Sequence, residues 1–152
     1  VIRLWLFLHL LGFTLWIGGA LAAMVAGIAS RREDRAGLGA VVRTQAAVQK
    51  ILVAPGALLA VLSGLMLTFT MTSLRGGEAG FNLWLVLMQG AGIVGALIVL
   101  MVGLPTAAKL ARLDPQGPGA AYFDELRQRQ RVVGSVAGVF ALAALIGGAM
   151  LA

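Results

Sequence analysis

Four apolar stretches, each about as long as a bilayer core is thick, decide what this chain can fold into. A helix needs roughly 20 consecutive apolar residues to cross the hydrocarbon. The sequence supplies such runs at about 4–28, 51–71, 83–108 and 132–152. His9 and Thr14 alone interrupt the first, which ends at Arg31, Arg32, Glu33, Asp34 and Arg35. The second ends at Thr72, Ser73 and the loop Arg75-Gly76-Gly77-Glu78, and the third at Lys109 and Arg112. No strand-like alternation competes with this pattern. The first run is far longer than the roughly 7–15 residues of a signal-peptide core, so it reads as a retained span.

Composition agrees. Hydrophobic residues make up 60% of the 152 residues and charged residues 12%, with a mean hydropathy of +0.95. Soluble domains carry about 25% charged residues. An ordinary soluble enzyme and a disordered chain are both excluded. The net charge of +6 therefore reads against a membrane surface rather than nucleic acid. Cysteine is absent, which removes disulfides, thiolate metal sites and thiol catalysis. A single histidine removes any site needing two imidazoles from one chain.

Basic residues orient the spans. The first interhelical loop holds Arg31, Arg32, Arg35, Arg43 and Lys50, and the third holds Lys109, Arg112, Arg127, Arg129 and Arg131. Only Arg3 and Arg75 lie on the other side. The fold expected is an all-α, four-helix transmembrane bundle, one domain over 1–152, with both termini on the non-cytoplasmic side. The location expected is the bacterial inner (plasma) membrane, multi-pass, with anionic lipids at the cytoplasmic face.

Local signals refine this picture. Residues 37–50 read as a helical extension of the second span, with Pro55 a turn inside it as a kink point. Residues 122–131 read as polar first turns of the fourth helix. Small residues recur four apart at Gly19, Ala23 and Gly27, at Gly56, Ala60 and Gly64, at Ala91 and Gly95, and at Gly134 and Gly138. Such spacing lets membrane helices approach closely. It serves either packing within the bundle, a homo-oligomer face or contact with a larger membrane complex.

All six acidic residues lie in loops or beside them, and none falls mid-membrane. Ion-coupled transporters commonly place a carboxylate there, so that function is disfavoured. The one ionisable residue well inside a span is His9, roughly 9 Å along the helix from Arg3. Trp5, Gly12, Phe13 and Trp16 share its face by helical spacing. Gly64, Met66 and Thr68 on the second helix, and Met88 and Gln89 on the third, fall near the same depth. Neutral imidazole ligates metals and haem, and methionine is a soft partner for haem iron or Cu(I). The same residues also read as an interfacial histidine bonded to a neighbouring helix, an aromatic belt and methionine filler.

The run "LHLLGFTLWIGG" at 8–19 resembles the first helix of a group of small bacterial membrane proteins. The group includes copper-resistance D-type proteins, protoporphyrinogen oxidases of the HemJ type and four-helix relatives. "ILVAPGALLAVLSGL" at 51–65 and "FNLWLVLMQ" at 81–89 are similar to the second and third helices of the HemJ type. The resemblance implies a haem b or metal ligand at His9. It does not carry over the oxidase activity. Met88 stands where that family has a functional lysine after the third-helix tryptophan, here Trp84, and the end of the first helix also departs from the family.

The expectation is thus an integral membrane protein that binds haem b or a metal such as copper near the outer face. His9 is the ligand, with Met66 or Met88 as its partner. Trp5, Phe13 and Trp16 line the pocket, and Gly12 leaves space beside it. The alternative is a non-catalytic packing subunit of a larger membrane complex.

Overall fold

The computed structural model describes residues 1–74 and 82–151. The loop of Arg75 to Glu78, Phe81 at the head of the third-helix motif, and Ala152 lie outside the described residues. Among those described there is no strand, and the helices are α1 (Ile2–Ala29), α2 (Arg35–Val48), α3 (Ala54–Leu74), α4 (Leu83–Ile98), α5 (Leu104–Leu110) and α6 (Ala120–Ala149). Four of the resulting rods are long and apolar enough to cross a membrane: Ile2–Arg32, Arg35–Leu74, Leu83–Leu110 and Ala120–Ala149. The chain is a multi-pass membrane protein built as a four-helix bundle.

The rods exceed the apolar runs because polar turns continue the helices beyond the hydrocarbon. Asp34 starts α2 by accepting from the backbone N–H of Gly37 at 2.8 Å, and Asn82 starts α4 by accepting from Trp84 and Leu85. Such caps satisfy N–H groups that have no partner within the helix.

Two rods carry a proline without breaking. Between α2 and α3 the helix widens over Gln49–Val53, where the N–H of Ala54 reaches back five residues to the Gln49 carbonyl. Between α4 and α5 it widens over Val99–Gly103, where Leu104 reaches Val99 in the same way. Pro55 and Pro105 each follow two residues after the widened turn. Proline has no N–H, and its ring collides with the carbonyl four residues back, so one wide turn ahead of it keeps the rod continuous. The kink expected at Pro55 takes this form, and Pro105 has a matching one.

The bundle assembles from two tightly crossed pairs. α1 crosses α3 where Gly12 meets Gly56: a Cβ on Gly12 would stand 2.5 Å from the Ala60 backbone nitrogen, and one on Gly56 would stand 2.6 Å from that of Trp16. α4 crosses α6 at Gly147, whose Cβ would stand 2.9 Å from the Met88 nitrogen. Only glycine permits either approach. Trp16, 1% exposed, joins the pairs by laying its indole over Gly95 of α4. Around it pack Val53, Ala54, Ala57, Ala60, Ala96, Val99, Ala137 and Ala141. Gly134 and Gly138, by contrast, have no atom within 4 Å of a Cβ and do not pack inside the bundle.

The arginine-rich end has a core of its own, made by Leu38, Val42, Leu110, Phe123 and Leu126 with Leu113 against them. Polar ties hold it. Arg35 pairs with Asp124 at 2.5 Å and donates to the Pro115 carbonyl at 2.9 Å. Arg127 donates to the Ser30 hydroxyl at 2.7 Å, and Gln45 donates to the Ala23 carbonyl at 2.7 Å.

Candidate functional site

His9 sits on the second to third turn of α1 and faces α3. Its Nδ1 lies 2.7 Å from the carbonyl oxygen of Ala60. A carbonyl only accepts, so Nδ1 carries the hydrogen and neutral imidazole keeps its lone pair on Nε2. A ligating histidine commonly has its other ring nitrogen tied to a carbonyl in this way. The ring rests in the notch left by Gly64, where a Cβ would stand 2.8 Å from Cε1. Phe13 meets it edge-on with centroids 5.2 Å apart, and Trp16 follows 5.9 Å beyond Phe13.

A cavity of about 30 Å³ opens beside the imidazole. His9, Phe13 and Trp16 of α1, Ala60 and Gly64 of α3, and Met88, Gln89 and Gly92 of α4 line it. Leu65 and Ile93 also line it and are 39% and 37% exposed, so its mouth faces outward along the seam between α3 and α4. That volume admits one ion or one to two waters. A macrocycle enters only if α3 and α4 part along the seam.

The polar groups around the cavity are largely tied to α3. Ser63, 1% exposed, donates to the Leu59 carbonyl at 2.5 Å. Thr68 donates to the Gly64 carbonyl at 3.1 Å and accepts from the Gln89 amide at 2.8 Å. These bonds satisfy donors that hydrocarbon would otherwise strand. They also hold α4 to α3 beside the cavity.

Of the residues singled out from the sequence, His9, Phe13, Trp16 and Met88 come together around the cavity. The Met88 sulfur lies against α6, 3.2 Å from where a Cβ on Gly148 would be. Met66 is 46% exposed and is not among the lining residues. Trp5 is half-buried one turn further out and does not line the cavity either. Gly12 leaves no open space beside His9; the backbone of α3 fills it. Among the described residues no three or more His, Asp or Glu side chains gather as a metal-binding group. Any ion held here therefore relies on one imidazole unless the Met88 side chain, whose sulfur lies against α6, turns into the cavity.

The Ala60 carbonyl is the site feature that the sequence does not mark; Gly64, Thr68 and Gln89 fall at His9's depth as expected, and the structure adds the notch and the bond from Gln89 to Thr68. Gly64 has a signal in both the small-residue spacing and its depth, and Thr68 and Gln89 in their depth. No protein-family model, curated protein or solved structure matches this chain.

Proposed function

We propose that this membrane protein holds a metal centre at His9 Nε2, in the cavity between α1, α3 and α4. The observation that carries this reading is the bond from His9 Nδ1 to the Ala60 carbonyl, which in the neutral ring leaves Nε2 as the acceptor. The volume of about 30 Å³ favours a single soft ion, Cu(I), over a haem b. The thioether of Met88, once turned from Gly148 of α6 toward His9, is the candidate second donor, and Phe13 and Trp16 line the rest of the wall. Held by His9, such an ion would supply one-electron redox chemistry or be passed on as cargo. We read the arginine-rich end as cytoplasmic from the charge distribution, so the site proposed lies near the outer face, and the membrane proposed is a bacterial inner membrane.

The test is titration of detergent-purified protein with Cu(I) and, separately, with haem b, each beside His9→Ala. One equivalent of copper bound by the wild type and lost in the variant is the expected result. A Soret band that vanishes in the variant would instead make haem the carrier. No uptake of either by the wild type would sink the reading.

A second reading, a packing subunit of a larger membrane complex, draws on Gly18, Gly90, Gly134 and Gly138. A Cβ at any of them would meet nothing within 4 Å, so these positions are free to seat a partner helix. Stable co-purification with a larger assembly, with no metal in this chain, would favour it.

A further inference from the structure

A second concavity, of about 350 Å³, lies at the arginine-rich end, away from His9. Its walls are one face of α2, given by Ala36, Gly39 and Arg43, and the segment 111–116 that follows α5. Small residues hollow it out. Gly39 is buried, and a Cβ there would come 3.6 Å from Cδ of Pro115. Arg43 is exposed, yet its side chain bends back along α2. Its Nη1 lies 3.2 Å from the same Cβ position, so the guanidinium folds back one turn over Gly39 and forms part of the wall. Arg112, an exposed residue, lines the concavity from the segment that follows α5. The one acid in the lining, Asp114, already accepts from the backbone N–H of Gln116 at 2.9 Å. Among the described residues the single ion pair is that between Arg35 and Asp124, so neither Arg43 nor Arg112 has a carboxylate partner.

We propose that this pocket binds a phosphate-bearing anion between Arg43 and Arg112. Two arginines lining one concavity are suited to a group that accepts several hydrogen bonds and carries more than one negative charge. The concavity is open rather than enclosed, which suits a small anion held at the surface. Depth bears on the source. Arg112 lies four residues beyond the third apolar run, roughly 6 Å, and Arg43 eight residues outside the second, roughly 12 Å, at about 1.5 Å per residue. The headgroup layer is about 5–8 Å thick on each side. Arg112 thus reaches headgroup level while Arg43 stands in the aqueous phase. A soluble phosphate compound and a lipid headgroup present the same chemistry to this pair.

The test uses the full chain in nanodiscs. One arm titrates inorganic pyrophosphate calorimetrically into discs of zwitterionic lipid. The other measures retention of phosphatidylglycerol by native mass spectrometry. Arg43→Gln and Arg112→Gln are each expected to weaken binding about fivefold or more, which corresponds to about 1 kcal/mol. Arg31→Gln, at the same end but outside the pocket, should leave it unchanged. Gly39→Ala keeps every charge yet displaces the Arg43 guanidinium, so it should weaken binding as well. Circular dichroism of each variant checks that the bundle is intact. Binding in the first arm identifies a soluble ligand, and binding in the second alone identifies a headgroup; either supports the site. Binding in neither arm, or an Arg31→Gln loss equal to that of Arg43→Gln, overturns it.

Discussion

The imidazole of His9 occupies the notch that Gly64 leaves: a Cβ at position 64 would stand 2.8 Å from Cε1 and 3.0 Å from Nδ1 of His9. Gly64→Ala must therefore move the ring and loosen its 2.7 Å bond to the Ala60 carbonyl. Loss of such an orienting bond costs a metal site about 10–100-fold in affinity. A competition titration with a Cu(I) chelator should show at least a tenfold weaker site in Gly64→Ala, with helicity retained. Unchanged affinity would mean that the notch does not set the ring, and the argument for a fixed Nε2 would go with it.

Gly12 of α1 and Gly90 of α4 have opposite surroundings. A Cβ on Gly12 would meet the backbone of Ala60 at 2.5 Å and that of Gly56 at 2.9 Å, whereas one on Gly90 would meet nothing within 4 Å. Backbone cannot rotate aside, so Gly12→Ala forces α1 from α3 and should destabilise by about 1–3 kcal/mol. Gly90→Ala removes a flexible residue from a helix and should stabilise by up to about 1 kcal/mol. Thermal melts in one detergent should move in opposite directions. A Gly12→Ala melt equal to wild type would contradict the close crossing.

The spans were legible because the hydrocarbon thickness allows few alternatives to about 20 apolar residues in a row. The packing partners were only half legible. The spacing of Gly56, Ala60 and Gly64 marked a contact face, and α3 uses it against α1. Gly134 and Gly138 have the same spacing and face outward. Four-residue spacing states that a helix has a small-residue face, not which way that face turns. His9 stood out because an ionisable group in a span is rare. Its partner, the Ala60 carbonyl, has no sequence signature, since every residue carries one. Gly12 read as room for a ligand because glycine creates space, but the crossing of α1 and α3 fills that space with backbone. The widened turns ahead of Pro55 and Pro105 depend on how the backbone accommodates proline. The sequence marks only that some distortion must occur there.

Asp124 and Arg35 form an ion pair whose side chains are 49% and 47% exposed. Exposed pairs are worth about 0.2–1 kcal/mol and are screened by salt. Arg35 also keeps its bond to the Pro115 carbonyl when the carboxylate is gone. Asp124→Asn should therefore lower stability by no more than about 1 kcal/mol. The difference from wild type should shrink as salt is raised toward 1 M. A larger loss, insensitive to salt, would show that the pair does more than tether the start of α6.

Ser30 makes the opposite case at the same end of the bundle. It is 2% exposed, donates to the Gly27 carbonyl at 2.8 Å and accepts from Nη2 of the half-buried Arg127 at 2.7 Å. The contact joins the end of α1 to α6, and a bond to a charged donor is about twice as strong as a neutral one. Ser30→Ala leaves the guanidinium without that acceptor in a place where water replaces it poorly. The expected cost is about 1–3 kcal/mol. Ser30→Thr, which keeps the hydroxyl, should recover part of it. Unlike the loss in Asp124→Asn, this one should persist at high salt, because a partly buried contact is screened much less. Equal melts for Ser30→Ala and wild type would mean that Arg127 finds another acceptor, and that the junction of α1 with α6 is held by the apolar contacts of Phe123 and Leu126 instead.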